Sequence, residues 1–115
     1  MTLPFQDGSF AEIRAEHVLE HIEKRDHVRL LNECWRVMED GGVLAVEVPV
    51  FPYEVAIADP THVSFFVSRS FDYFCQGQGH DEHMALYGIK PWKLILRQRI
   101  GEGQLLQVEM EKEMP

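Results

Sequence analysis

The run Val43-Leu44-Ala45-Val46-Glu47-Val48, entered from Gly41-Gly42 and shut off by Pro49 and Pro52, constrains this chain more than any other feature. An almost continuous apolar stretch of strand length reads as a parallel strand covered on both faces, and proline cannot donate to a continuing ladder. A parallel strand needs a crossover from its neighbour, usually a helix. Residues Asp26–Met38 supply one. Leu31, Cys34, Trp35 and Met38 recur at helical spacing and Leu30 and Val37 widen the stripe, with Asp26 as N-cap and Gly41-Gly42 as the C-terminal stop. The neighbouring strand then lies upstream in Phe10–Ile22, read as FAEIRAEHVLEHI. Phe10 and Ile13 predict a short strand over Phe10–Ala15, and Val18, Leu19 and Ile22 a helix after a polar corner. That corner gathers Glu16, His17, Glu20 and His21, and strand ends are where open α/β sheets place their chemistry.

The remaining punctuation completes a mixed sheet. Asp7-Gly8 is a breaker before the first strand. Residues 51–67 read as a loop containing Asp59-Pro60-Thr61-His62, and Ser68–Cys75 as a short helix begun by a Ser cap. Gly77–His83 reads as a polar, mobile loop. Two alternating runs, Trp92–Ile100 and Gln104–Glu111, flank Gly101-Glu102-Gly103, which is a hairpin signal. The aromatics Phe65, Phe66, Phe71, Tyr73 and Phe74 suit either packing against the sheet or a cage for a ligand.

At 115 residues the chain has room for one domain with a modest core, and its 45% apolar content argues for a folded one. A formal charge of −8 argues against nucleic acid or an anionic membrane as partners, since both attract basic surfaces. No apolar run approaches the ~20 residues that span a bilayer, and no basic-then-apolar leader opens the sequence. Cys34 and Cys75 lie far apart without metal-type spacing and each falls within an apolar pattern, so they read as buried free thiols in a reducing, cytoplasmic setting.

Leu3-Pro4-Phe5-Gln6-Asp7-Gly8-Ser9-Phe10, His17-Val18-Leu19-Glu20-His21 and Leu30–Leu44, with its double glycine, together resemble the second half of class I S-adenosylmethionine-dependent methyltransferases. Ala11 stands where that family usually has Asp, and Glu39-Asp40 where it has Lys-Pro. The resemblance implies an α/β fold, a partial Rossmann-like methyltransferase sheet of about four strands. It combines a parallel pair with a C-terminal antiparallel hairpin and flanking helices, in a single truncated domain over 1–115. It also implies that S-adenosylmethionine would meet Leu3, Pro4, Phe5, His17 and Val18, with Glu16 and His17 at its reactive end as catalytic candidates. The family's glycine-rich loop and ribose carboxylate do not occur in these residues, since Gly77-x-Gly79 and Gly101-x-Gly103 lack the strand-then-helix context. The expected function is therefore methyltransferase-like, with the isolated chain incomplete or inactive. A homodimer, or a partner chain supplying the other half, would complete it.

Two alternatives stand beside that reading: a non-enzymatic homo-oligomeric binding module, and a small divalent-metal protein. Some related RNA and ubiquinone-pathway O-methyltransferases carry E-x-x-E-H here as a metal motif, and this chain has His17-x-x-Glu20-His21 with His62 further on. At i, i+3, i+4 the first three share one helix face, and mixed imidazole and carboxylate ligands suit Zn, Ni, Co or Fe better than Mg. His80 and His83 beside Asp81 and Glu82 read as a solvated turn, and no serine sits in a G-x-S-x-G elbow.

Overall fold

A computed structural model describes residues 2–113; Met1, Met114 and Pro115 lie outside the described residues. Strand β1 (Phe10–Glu16) runs parallel to β2 (Met38–Pro49), and helix α1 (His27–Val37) makes the crossover between them. Short helices α2 (Glu54–Ile57) and α3 (Asp81–Tyr87) lie in the long connection that follows. The closing hairpin is β3 (Trp92–Ile100) and β4 (Leu105–Lys112), with β4 antiparallel to β2, giving the order β1-β2-β4-β3. The four-stranded α/β sheet, its parallel pair and its hairpin agree with the sequence reading.

Three local expectations are corrected. The crossover helix ends at Val37, and Gly41-Gly42 lies inside β2 rather than at a helix terminus. Between the pairs Phe10↔Met38 and Glu12↔Val43, β1 advances two residues while β2 advances five, so the glycines form a bulge. Gly41 sits at φ +80°, and a Cβ on Gly42 would lie 2.5 Å from the Met38 side chain and 2.9 Å from the Glu39 carbonyl oxygen, so only glycine fits there without a shift. Second, Val18–Ile22 is not a helix but a single 3-10 turn over Leu19–His21, because His17 takes a left-handed φ of 58° and Ile22 is already extended. Third, Ser68–Cys75 holds a 3-10 helix over Ser70–Phe74, and the Ser70 hydroxyl accepts from Val67 N–H instead of capping a helix start. The polar stretch 77–83 leads into α3, with Asp81 accepting from Gly77 N–H at 2.9 Å.

The core occupies one side of the sheet. Leu44, Val46 and Val48 of β2 line up with Met110, Val108 and Leu106 of β4, and Leu31, Cys34 and Met38 pack over them with Phe66, Phe71 and Trp92. The other side overturns the expectation that β2 is covered on both faces. Register sets Glu12, Arg14 and Glu16 beside Val43, Ala45 and Glu47, and these beside Glu111, Glu109 and Gln107, all exposed or half-exposed. A hydrogen-bonded ladder crosses that face: His17 Nε2 lies 2.6 Å from Glu47, Gln107 donates to Glu47 at 2.9 Å, and Gln98 donates to Gln107 at 2.7 Å. Arg14 lies 2.7 Å from Glu12 and 3.2 Å from Glu16. Side chains satisfied laterally and wetted from above belong to the alternation of a one-sided sheet. That face of the sheet is therefore a polar surface.

The aromatic segment divides by burial. Phe66, Phe71 and Phe74 are buried, whereas Phe65 and Tyr73 are 45% and 40% exposed. Cys34 and Cys75 are free and buried. Among the described residues no helix is long and apolar enough to cross a membrane.

Candidate metal and cofactor corner at the strand ends

The carboxyl end of the parallel pair builds the corner. His17 N–H donates to Glu47 carbonyl at 2.9 Å, which carries the ladder one residue past β1. The left-handed turn at His17 then swings its ring toward β2, with Nε2 2.6 Å from Glu47 and Nδ1 3.5 Å from Glu20. Glu20 is 1% exposed, its backbone carbonyl takes N–H groups from Val63 and Ser64, and its Oε1 has no hydrogen-bond partner. Burying a carboxylate oxygen without a partner is costly, so that atom asks for a cation or a proton.

Two histidines approach the Glu20 carboxylate. Donor atoms of Glu20, His21 and His62 all lie within 4.8 Å of one another, and the two rings meet edge-on at 4.9 Å. His62 Nδ1 is 2.8 Å from the Ala56 carbonyl and so donates there, leaving Nε2 with its lone pair free. The Thr61 hydroxyl donates to Asp59 at 2.7 Å, so His21 Nδ1, 3.1 Å away, is the donor in that contact and His21 Nε2 is the free nitrogen. Fixing one ring nitrogen on a backbone or hydroxyl oxygen so that the other can ligate is how protein metal sites hold imidazole. Asp59 Oδ2 stands 3.6 Å from His62 Nε2, and the Thr61 hydroxyl and N–H hold the Asp59 carboxyl below the usual range. The donor set therefore fits a divalent cation with three protein ligands and an open side at the exposed His21. Of the four ligands expected from sequence, His17 stands outside this group, because it precedes the helical turn that the i, i+3, i+4 spacing assumes.

The remaining expected residues are spread around the corner and held by other partners. Glu16 is exposed and paired with Arg14. Leu3 N–H donates to Glu33, while Leu3 and Phe5 carbonyls accept from Arg36 at 2.9 Å each. Phe5 and Val18 are 48% and 42% exposed, with Phe5 edge-on to Phe10 at 4.9 Å. None of the eight glycines lies at a junction from strand into helix, so these residues do not form the amide cradle that a dinucleotide-like cofactor needs. Arg36 and Asp59 carry no sequence signal for the roles they take here. Arg36 sits on the polar side of a helix, and Asp59 reads as an ordinary turn former.

Residues 1–46 match the methyltransferase domain family. No curated protein matches the chain. Solved structures share its fold. An S-adenosylmethionine-dependent methyltransferase from Archaeoglobus fulgidus superposes with a TM-score of 0.67 at 13% identity, over 94% of this chain and 62% of that one. A complex between the Haloferax volcanii Trm112 methyltransferase activator and a putative methyltransferase gives 0.68 at 11%, over 98% and 58%. A possible histamine N-methyltransferase from Thermotoga maritima gives 0.62 at 18%, over 97% and 60%. The chain thus spans between 58% and 62% of the length of these structures.

Proposed function

From a chain whose first 46 residues match the methyltransferase domain family and whose fold is that of class I S-adenosylmethionine-dependent methyltransferases, we propose the second half of a methyltransferase-like domain that does not retain S-adenosylmethionine by itself. The supporting observation is that no glycine sits at a strand-to-helix junction, while Leu3, Glu16 and His17 are tied to internal partners. What remains for the cofactor is one wall, Phe5 and Val18, with Glu16 and His17 at its reactive end. Calorimetric titration with S-adenosylmethionine should give no saturation. Clear saturation at micromolar cofactor would overturn the proposal. The buried free thiols suit a reducing, cytoplasmic compartment.

A second reading is favoured by the orphaned Glu20 oxygen: Glu20, His21 and His62 hold a divalent cation of the zinc, nickel, cobalt or iron type. Elemental analysis of protein purified without a histidine tag should find metal. Added metal should raise the melting temperature, and His21→Ala or His62→Ala should abolish the rise. No bound metal and no such rise would leave the corner a structural one.

For assembly we infer a homodimer through the outer edge of β1. That strand pairs only with β2 among the described residues, and an open edge recruits another strand.

A further inference from the structure

On the helix side of the sheet, the start of α1, residues 65–74 and α3 enclose a groove of about 550 Å3 that shares no residue with the Glu20, His21 and His62 cluster. Its floor is aromatic and flat. His27 stacks on Phe66 at 5.6 Å, and Phe66 on Phe71 at 5.3 Å with planes 7° apart. Its wall is Tyr73 stacked on His80 at 3.7 Å. Phe65, Tyr73 and Tyr87 present 45%, 40% and 53% of their surface to solvent around it.

The charge of the lining runs against that of the chain. Carboxylates outnumber Lys and Arg by 19 to 11 in the whole sequence, yet the groove is lined by Lys24 and Arg69 and by no Asp or Glu. Arg69 lies 2.8 Å from Asp72, but that buried carboxylate also takes Arg97 from outside the groove, so the Asp72 charge is shared between two guanidiniums and does not cancel that of Arg69 alone. A volume of this size falls within the ~300–1,000 Å3 of small-molecule sites. Flat aromatic faces select a planar ligand and the two cations select an anion.

We propose that this groove binds an aromatic carboxylate, its ring against Phe65, Tyr73 and Tyr87 and its carboxylate toward Lys24 and Arg69. The site is independent of the methyltransferase and metal readings and stands if either fails. The test is NMR shift mapping of the full chain titrated with naphthoate, with uncharged naphthamide and with the aliphatic anion hexanoate. Naphthoate should saturate with shifts confined to residues 24–28, 65–74 and 80–89, naphthamide should bind at least about tenfold more weakly, because it lacks the charge that both cationic contacts use, and hexanoate should not saturate. Arg69→Gln should weaken naphthoate about tenfold and leave naphthamide unchanged. The exposed Lys24→Gln gives the same comparison if the first variant does not fold. Equal binding of naphthoate and naphthamide, shifts elsewhere, or shifts in the groove that follow protein concentration without ligand, as a second copy would cause, would each overturn it.

Discussion

At the scale of single residues, burial and multiple bonding give two chemical predictions. Burial pushes the Cys34 thiol from 9.0 up to about 11 and the Cys75 thiol up to about 12. The unfolded chain loses these protons first, so stability is full below the ordinary thiol value and falls as pH rises toward the folded ones. The slope should be about 1.4 kcal/mol per pH unit for each thiol. Urea titrations from pH 8 to 11, order-of-magnitude settings for thiol ionisation, should show that decline, and Cys75→Ala should roughly halve its slope. Arg36 makes five hydrogen bonds, to Leu3, Phe5, Asp7 and twice to Glu33, and its guanidinium holds the Glu33 carboxyl below the usual range. Arg36→Ala frees the loop ahead of β1 and leaves half-buried acceptors unpaired. A lower denaturation midpoint is expected in urea titration, with Arg36→Lys recovering only part of the loss.

Among the elements, the hairpin turn is the sharpest test of local physics. Gly101, Glu102 and Gly103 all have positive φ, at 57°, 57° and 84°. Only the middle residue carries a Cβ, which costs roughly 1 kcal/mol in the left-handed region. Glu102→Gly should therefore raise stability, offset in part by the entropy of the freer unfolded chain, and a net gain between zero and about 1 kcal/mol by thermal melting is the expected outcome. The strand-end turn carries the same strain at His17 with a different role, because that φ turns the ring onto Glu47. His17→Gly should relax the turn while removing the first link of the polar ladder. A net change within about 1 kcal/mol follows from the two opposing effects.

For the whole molecule, the proposed dimer would form at the outer edge of β1, which pairs only with β2 among the described residues. His17 N–H points to β2. Because backbone groups alternate along a strand, Glu12, Arg14 and Glu16 turn theirs outward. A two-fold copy pairing there can place Glu12 opposite the partner's Arg14, whereas a register centred on Arg14 sets like charges together and is disfavoured. Light scattering at high micromolar protein should give twice the chain mass, and Arg14→Glu, which leaves the edge wholly acidic, should return the monomer. A monomeric parent would sink the dimer. The polar ladder across the open face marks that face as water-facing, so the edge carries this prediction rather than the face.

The sheet is legible in local sequence patterns. Val43–Val48 ahead of its prolines, the helical stripe at Leu31 and Cys34, and the two alternating runs around Gly101–Gly103 each carry a period or a turn chemistry that acts locally. A short window suffices to read them. The sequence by itself also determined which side chains crowd the strand end, because Glu16, His17, Glu20 and His21 are consecutive enough to share one corner in any fold with a strand there. Tertiary structure alone decided what that corner does with them. The left-handed turn sends His17 to Glu47, and the chain returns 40 residues later to bring Thr61 and His62 against His21. It decided as well that β2 has one wet face, since an apolar strand reads alike whether it is covered on one side or two. Only the register against Glu12, Arg14, Glu109 and Gln107 shows which side chains share that surface. Contacts between residues far apart in the chain have no local period to announce them, and those contacts fix the site.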